Sequence, residues 1–110
     1  MPNIQDAILT PVLDEFESTA SLNGRVEKLS ANEFELLSQL LRYPEEAISR
    51  ESLKRTIGSE DGKLSNRRLD AAMNTLIRKI FVLHTEFALV RFVPSDSYMY
   101  TKVPPKRKPE

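Results

Sequence analysis

The clearest hydrophobic periodicity in the chain lies at residues 65–80, in the stretch SNRRLDAAMNTLIRKI. Its large apolar residues recur at spacings of four, three and four: Leu69, Met73, Leu76 and Ile80. At about 100° per residue these positions fall within a narrow arc, so the pattern predicts an amphipathic helix with one core-facing stripe. Ser65 or Asn66 can cap its start. Arg78 and Lys79 lie near its predicted C-terminal end, where the helix dipole favours cations.

A second helical pattern precedes it, in SANEFELLSQLLRYP at residues 30–44. Its apolar face consists of Phe34, Leu37, Leu40 and Leu41. Ser30 and Glu33 form the S-x-x-E arrangement of a capping box, in which each side chain bonds a free amide at the helix start. Pro44 disfavours helical geometry at Tyr43, so the helix is predicted to end there.

The stretch ISRESLKRTIG predicts a short helix between these two. Ser49 is the expected N-cap. Ile48 and Leu53 are spaced to form a hydrophobic staple at this helix start, and Gly58 supplies a left-handed stop. Residues 59–66, SEDGKLSN, then have the composition of a loop.

Strand patterns lie on both sides of the helical region. Between residues 12 and 29, the segments VLDEFES, ASL and RVEKL are typical of short strands. Asn23-Gly24 is a strong hairpin signal because both residues tolerate positive φ. After residue 84, the segments EFALVRFV and YMYTKV flank a turn that begins at Pro94, which predicts a terminal hairpin.

The predicted order of elements is strands, helix, helix, helix and hairpin, within one domain over residues 12–103. Residues 1–11 are expected to form a flexible leader, and PPKRKPE at 104–110 a disordered basic tail. A short helix, a turn, a longer basic helix and a hairpin behind them form the plan of a winged helix-turn-helix. The predicted fold class is therefore α+β, with short N-terminal antiparallel strands, three helices and a C-terminal β-hairpin wing.

Charge is divided unevenly along the 110 residues, although the formal net charge is zero. Residues 1–62 carry 6 Lys/Arg and 12 Asp/Glu, a net of −6, whereas residues 63–110 carry 10 and 4, a net of +6. A chain divided in this way has a basic half able to face a polyanion. The alternative is that folding mixes the two halves and cancels the field.

The basic half places charge opposite the apolar stripe of the third helix. This outward side is predicted to carry Arg67, Ala71, Asn74 and Arg78, with Arg68 and Thr75 on one flank. None of its positions is acidic. Small residues permit close approach to a major groove, while Asn can pair bidentately with adenine and Arg with guanine. The pattern therefore predicts a surface that reads double-stranded DNA, and the alternative is an ordinary solvated face.

These helical stretches resemble the DNA-binding effector domain of the OmpR/PhoB response-regulator family, over roughly residues 12–101. The family's Leu-Ser/Thr-x-x-Glu-Phe-x-Leu-Leu opening is matched at Leu29, Ser30, Glu33, Phe34, Leu36 and Leu37. The start of the second helix is matched at Ile48, Ser49, Arg50, Glu51 and Leu53. The third-helix motif is in register at Arg67, Leu69, Asp70, Met73, Leu76, Lys79 and Ile80. The resemblance implies a bacterial transcription regulator of a two-component system.

Several positions depart from the family pattern. Ala72 stands where a histidine is common, and Thr75 and Ile77 stand where arginines are common. In the wing, VRFVPSDSY retains the family's residues at Val90, Arg91 and Tyr98 but lacks both glycines. The family's preceding receiver domain is missing from this sequence, so we expect either an excised domain or a stand-alone relative.

The resemblance also implies a division of roles among the basic residues. The third helix is expected to dock in the major groove, with Ser49, Arg50 and Arg68 contacting the DNA backbone. Arg91 is expected to reach the minor groove with the wing. Family members bind direct repeats as dimers, so a dimer on DNA is expected. The loop at 58–66 is expected to contact RNA polymerase.

A function of a different class stays open, namely a winged-helix module that has lost DNA readout and binds another protein. The zero net charge, Ile77 and the altered wing motivate it. An enzyme fits poorly, because the sequence offers no nucleophile with a plausible base, no glycine-rich phosphate loop and no cluster of metal ligands. No cofactor is therefore expected. The lack of cysteine, of a signal peptide and of a long apolar run favours a cytoplasmic protein without a membrane partner.

The remaining titratable residues are expected to have structural roles. His84, the only histidine, is expected at a helix end or in a loop. Glu45 and Glu46 follow a proline and are expected in a solvated loop. Asp70 is expected to form an orienting salt bridge with Arg67 or Arg68.

Overall fold

The computed structural model describes residues 10–58, 64–85 and 88–103, which form an α+β domain. In chain order its elements are strands β1 (Val12–Asp14), β2 (Thr19–Leu22) and β3 (Arg25–Lys28), helix α1 (Ala31–Arg42), strand β4 (Ile48–Ser49), helices α2 (Arg50–Thr56) and α3 (Asn66–Leu83), and strands β5 (Val90–Val93) and β6 (Ser97–Tyr100). The strands form two antiparallel sheets, ordered β1-β2-β3 and β4-β6-β5. This order confirms the predicted winged helix-turn-helix, with the β5–β6 hairpin, residues 90–100, as the wing.

The N-terminal sheet contains the predicted tight turn. β2 pairs with β3 so that Leu22 lies opposite Arg25, which leaves Asn23 and Gly24 as a two-residue loop. Their φ values are 55° and 79°, the positive pair that a type I′ turn requires. Ala20 and Leu22 are both buried, because alternate residues of a strand lie on the same face.

The start and end of α1 confirm the predicted caps. Ser30 Oγ accepts the Glu33 N–H at 3.1 Å, and Glu33 Oε1 accepts the Ser30 N–H at 2.8 Å. The capping box is therefore complete. The helix ends at Arg42, with Tyr43 as its C-cap before Pro44.

Helix α2 starts directly from strand β4. Ser49 is its N-cap, and its Oγ accepts the Ser52 N–H at 3.2 Å. Gly58 follows the helix with a φ of 86°, a conformation that favours glycine. Ile48 pairs with Tyr98 of β6, so the wing is hydrogen-bonded to the segment that leads into α2.

Helix α3 is longer than its sequence pattern predicts. It begins after the predicted cap Ser65 and runs to Leu83, with His84 as C-cap. Leu83 is buried because it lies on the same side of the helix as the predicted apolar stripe, so core packing extends the helix by a turn. Its last turn holds no basic residue. The prediction that Arg78 and Lys79 lie at the C-terminal end is therefore wrong.

One hydrophobic core joins the helices to both sheets. The whole predicted stripe of α3 is buried in it, together with residues from α1, α2 and the wing: Leu69, Met73, Leu76, Ile80, Leu36, Leu37, Leu40, Leu53, Val90, Tyr98 and Tyr100. The core thus holds the stripe of α3 inward and turns the opposite side of that helix to solvent. Among the described residues, no helix is long and apolar enough to span a bilayer.

The loop after α1 gives Glu45 contacts that the sequence did not predict. Its N–H donates to the Tyr100 carbonyl at 2.9 Å. Its carboxylate accepts the Thr101 hydroxyl at 2.7 Å and the Lys102 N–H at 2.8 Å. Glu45 therefore ties this loop to the end of the wing, although Glu45 and Glu46 are both exposed in the loop as predicted.

Candidate nucleic-acid interface

The solvent side of α3 presents a continuous set of polar and small side chains. We define this outward face as Arg67, Arg68, Ala71, Asn74 and Arg78, all of which are exposed. The helix rises about 1.5 Å per residue, so the face extends for roughly 16 Å along the axis. The structure thus brings together five of the predicted site residues on one side of one helix.

The polar side chains of this face are available for a ligand. Within the described residues, the side chains of Arg67, Arg68, Asn74 and Arg78 make no hydrogen bond or ion pair. Thr75 lies half-buried at the edge of the face, and its hydroxyl donates to the Ala71 carbonyl at 3.1 Å. The guanidinium groups and the amide therefore retain all their donors for an external partner.

The shape of the face suits a groove of duplex DNA. A major groove about 12 Å wide admits an α-helix, and the exposed methyl of Ala71 allows close approach. Arg78 and Asn74 have the donor and acceptor geometry for guanine and adenine edges. The guanidinium groups of Arg67 and Arg68, one turn or more away, are suited to phosphate oxygens.

Two departures from the family pattern do not fall on the outward face. Ala72 and Ile77 are partly buried and pack against the core. The side chains at these two positions therefore contribute to core packing. The hydrogen-bond donors of the outward face are unaffected by them. Because Ile77 packs against the core, its apolar side chain does not indicate that DNA readout has been lost.

Lys79 follows Arg78 in the chain, but its side chain points to another part of the domain. Its Nζ pairs with Glu33 Oε1 at 2.7 Å and donates to the Lys28 carbonyl at 2.8 Å. Burial alone raises the pKa of Glu33, but the Lys79 ammonium and the Ser30 hydrogen bonds outweigh it and lower that pKa below its ordinary value. Lys79 therefore holds α3 against α1 and β3.

Asp70 does not pair with the arginines that the sequence predicts. Its two carboxylate oxygens accept Nε and Nη2 of Arg50 at 3.0 and 2.6 Å. Tyr98 donates its hydroxyl to Asp70 Oδ1 at 2.8 Å. Burial, followed by the neighbouring Asp70 carboxylate, raises the pKa of Tyr98, so the phenol keeps its proton. Asp70 faces α2 and the wing, and Arg67 and Arg68 stay exposed.

Ser49 and Arg50 are already engaged within the protein. The Ser49 hydroxyl caps α2 and lies 3.2 Å from the Ser52 hydroxyl. The Arg50 side chain, 19% exposed, forms ion pairs with Asp70 and Asp96. Its hydrogen bond to Asp70, followed by the charges of both carboxylates, raises its pKa.

Arg91 lies at the base of the wing. It pairs with Met99 across the hairpin, and its Nη2 donates to the Val103 carbonyl at 2.8 Å. Its Nε is buried without a hydrogen-bond partner among the described residues. The wing turn, Pro94–Asp96, contains no basic residue. The structure therefore does not place Arg91 at the tip of the wing.

Sequence reasoning missed Phe92 and Asp96. Phe92 lies under the Arg50 guanidinium, 4.8 Å from ring centroid to Cζ, and Asp96 pairs with the same group. These residues are more than forty positions from Arg50 in the chain. No local spacing rule connects such positions, although the absence of the family's wing glycines indicated that this turn differs.

Four predictions fall at least partly outside the described residues. These concern residues 59–63 of the loop expected to contact RNA polymerase, residues 86–87 of the segment EFALVRFV, residues 1–9 of the leader, and the basic tail at 104–110. The described flanks of the loop are Gly58 and Leu64.

Comparison with known proteins places this geometry in a defined class. The fold is shared with a lantibiotic response regulator, the C-terminal domain of the nisin resistance regulator NsrR, at a TM-score of 0.71 and 25% identity over 84% of this chain and 93% of that domain. The DNA-binding domain of the response regulator AdeR, solved in complex with an intercistronic region, has the same fold at a TM-score of 0.70 and 16% identity, covering 86% of this chain and 95% of that one. The class is the winged helix-turn-helix effector domain of response regulators.

The family follows from the sequence match. Residues 24–100 match the model described as "Transcriptional regulatory protein, C terminal", and the chain belongs to that family. It is also similar to the transcriptional regulatory protein BaeR of Escherichia coli O6:H1, at 30% identity over 96 residues. That match covers 87% of this chain but 40% of BaeR. These findings confirm the resemblance drawn from the helix motifs.

Proposed function

We propose that this domain binds double-stranded DNA sequence-specifically as part of a bacterial transcription regulator. The observation that carries the proposal is the outward face of α3, where three arginines and one asparagine are exposed and unpaired among the described residues. Membership of the transcriptional regulator family supports it. The AdeR domain, which has the same fold, was solved on DNA.

Each residue of the outward face has a proposed role. Asn74 and Arg78 contact base edges in the major groove, and Ala71 and Thr75 allow the helix to approach them. Arg67 and Arg68, near the start of α3, contact phosphates. Base contacts then provide specificity, while phosphate contacts provide most of the affinity and its dependence on salt.

The other predicted contacts are narrower proposals. Ser49 and Arg50 border the DNA backbone at the start of α2, where three of the five Arg50 N–H donors are already committed within the protein. The wing lies toward the minor groove. Arg91 contributes there only if it releases the Val103 carbonyl, so we assign it a smaller effect than Arg78.

The assembly and location are also proposals. We place the protein in the cytoplasm, where bacterial DNA is accessible, and we propose a dimer on repeated half-sites. Contact with RNA polymerase through the loop at 58–66 stays a proposal. The domain is proposed to act in regulation without a cofactor, since no enzyme chemistry is suggested by its family.

Binding to a random-sequence duplex over a range of salt concentrations tests whether the domain binds duplex DNA at all. The dissociation constant is expected to rise with salt along a linear log–log plot, since each neutralised phosphate contributes a slope of about 0.9. Substituting Arg67 and Arg68 together with alanine is expected to reduce the slope by roughly 2. Arg42→Ala, which removes an exposed arginine from the end of α1, is the matched control and is expected to leave the slope unchanged.

Two results would contradict the proposal. Absence of salt-dependent retention on duplex DNA would favour the protein-binding alternative. A loss of slope in Arg42→Ala of about 1, the same loss per removed charge as in the double variant, would show attraction to overall charge, with no defined role for α3.

A further inference from the structure

One cluster of side chains connects the wing to both helices of the helix-turn-helix. Its members are Arg50 of α2, Asp70 of α3, and Phe92, Asp96 and Tyr98 of the wing. Arg50 is the centre: Nε and Nη2 bond the two Asp70 carboxylate oxygens at 3.0 and 2.6 Å, and Nη1 bonds the Asp96 carboxylate. The Arg50 backbone N–H also donates to the Asp96 carbonyl at 3.1 Å.

Aromatic contacts reinforce these ionic ones. The Arg50 guanidinium lies over the Phe92 ring at 4.8 Å. Phe92 meets Tyr98 edge to face, with ring centroids 5.1 Å apart and an interplanar angle of 72°. Tyr98 returns to α3 by donating to Asp70 at 2.8 Å. The wing is therefore held to α3 by two separate routes, one through Arg50 and one through Tyr98.

The wing turn has an unusual need for such support. Ser95 and Asp96 have φ values of 79° and 60°, in the left-handed region that disfavours side chains with a Cβ. The related pattern has glycines in this part of the wing, but Pro94–Ser97 contains none. Two bonds from Arg50 reach Asp96, one to its side chain and one to its backbone, and they hold the turn in this conformation.

We propose that Arg50 is a positioning residue that locks the wing turn to α3 through Asp96 and Asp70. The lock fixes the angle between the wing and the outward face, so that both meet DNA as one rigid surface. This inference rests on the proposed DNA-binding function and assigns Arg50 a role in specificity. A direct phosphate contact is its lesser role, since three of its donors and most of its surface are engaged internally.

A rigid angle between two contact surfaces affects specific and non-specific binding differently. A cognate site requires both surfaces to be in register with the bases, so a loosened wing costs affinity there. Binding to random sequence depends on charge and tolerates many registers. Loss of the lock is therefore expected to reduce the ratio of the two affinities.

Asp96→Asn is the most informative variant. Asparagine has nearly the same shape and tolerates a positive φ, so the turn is kept while the charge that pairs with Arg50 is removed. Arg50→Lys is the second variant, because it keeps the positive charge but loses the planar fork that spans both carboxylates. Glu51→Gln is the matched control: it removes one negative charge from the same helix end, and Glu51 pairs with Lys54 outside the cluster.

The measurement is the ratio of dissociation constants for a random duplex and for a duplex selected by the wild-type protein from a random pool. Asp96→Asn and Arg50→Lys are each expected to lower this ratio by about three- to fivefold, the scale of one partly exposed ion pair. Glu51→Gln is expected to leave it unchanged. In the free protein, amide hydrogen exchange in the wing is expected to accelerate in both cluster variants and not in the control.

Two outcomes would overturn the proposal. One is an unchanged ratio with unchanged wing exchange in both cluster variants. The other is an equal gain of affinity for both duplexes in Asp96→Asn and Glu51→Gln. That result would show that Asp96 affects binding only because its negative charge repels DNA. If the wild-type protein bound no duplex, the proposed function would fail, while the exchange measurement would still establish or refute the lock.

Discussion

Replacing Lys79 with methionine is expected to destabilise the domain by about 1–3 kcal/mol. Methionine keeps the apolar stem of the side chain but removes the ammonium that pairs with Glu33 at 2.7 Å and donates to the Lys28 carbonyl at 2.8 Å. The Glu33 side chain is 8% exposed. The substitution therefore leaves a nearly buried carboxylate without its cation.

The magnitude follows from the exposure of the two partners. Breaking a fully buried ion pair from one side costs about 3–5 kcal/mol. Here the Lys79 side chain is 28% exposed, so water reaches the vacated position and lowers that cost. Glu33 also keeps its bond to the Ser30 N–H at 2.8 Å, which continues to stabilise its charge. Because of this water access and this remaining bond, the expected loss of stability is smaller than that for a fully buried ion pair.

Urea unfolding of four proteins measures the effect: wild type, Lys79→Met, Glu33→Gln and the double variant. Glutamine can keep the capping-box contact to Ser30, so Glu33→Gln removes mainly the charge. The coupling free energy between the two sites is expected to be about 1 kcal/mol or more. Arg78→Met, on an exposed position of the same helix, is the control, with an expected change within about 0.5 kcal/mol. Additive effects of the two substitutions would show that the Lys79–Glu33 pair does not stabilise the fold.

The same ion pair predicts a pH dependence. Lys79 and the cap lower the pKa of Glu33 in the folded state, so the contribution of this carboxylate is fully present above its unfolded pKa of about 4.3. It is lost as the pH falls through the lower, folded value. The stability difference between wild type and Glu33→Gln is therefore expected to be constant near neutral pH and to shrink below about pH 4.

Two further predictions concern the loops. Gly24→Ala is expected to destabilise the domain by about 1 kcal/mol, because φ at this position is 79° and the open space around it offers no compensating contact. Thermal unfolding measures the loss of stability, and an unchanged midpoint would contradict the assigned turn. Glu45→Ala is expected to cost about 1–2 kcal/mol, because it removes both carboxylate bonds to Thr101 and Lys102. Glu46→Ala, the exposed neighbour, is its control, and an equal effect in both would show that the Glu45 bonds are unimportant.

The features that sequence predicted well are those set by neighbouring residues. The Ser30–Glu33 capping box, the Asn23-Gly24 turn and the Ser65 cap each depend on residues within three positions of one another. The apolar stripe of α3 is also local, because its period identifies the face that the core must cover. Once that face was known, the opposite face, with Asn74 and Arg78, followed from helix geometry.

The features that sequence missed depend on residues far apart in the chain. Asp70 was expected to pair with an arginine on its own helix, but Arg50 reaches it from α2, twenty residues away. Lys79 was expected to interact with the C-terminal end of its own helix, but it pairs with Glu33 and donates to the Lys28 carbonyl at the end of β3. Charge and helical periodicity do not reveal such pairings, because several partners satisfy them equally well.

The role of the outward face can be tested by measuring how strongly Asn74→Ala and Arg78→Ala bind a selected duplex in competition with its scrambled counterpart. If this face reads bases, each substitution weakens binding to the selected duplex by about 1–3 kcal/mol and changes binding to the scrambled duplex far less. If both variants keep the wild-type preference for the selected duplex, α3 does not read the DNA sequence.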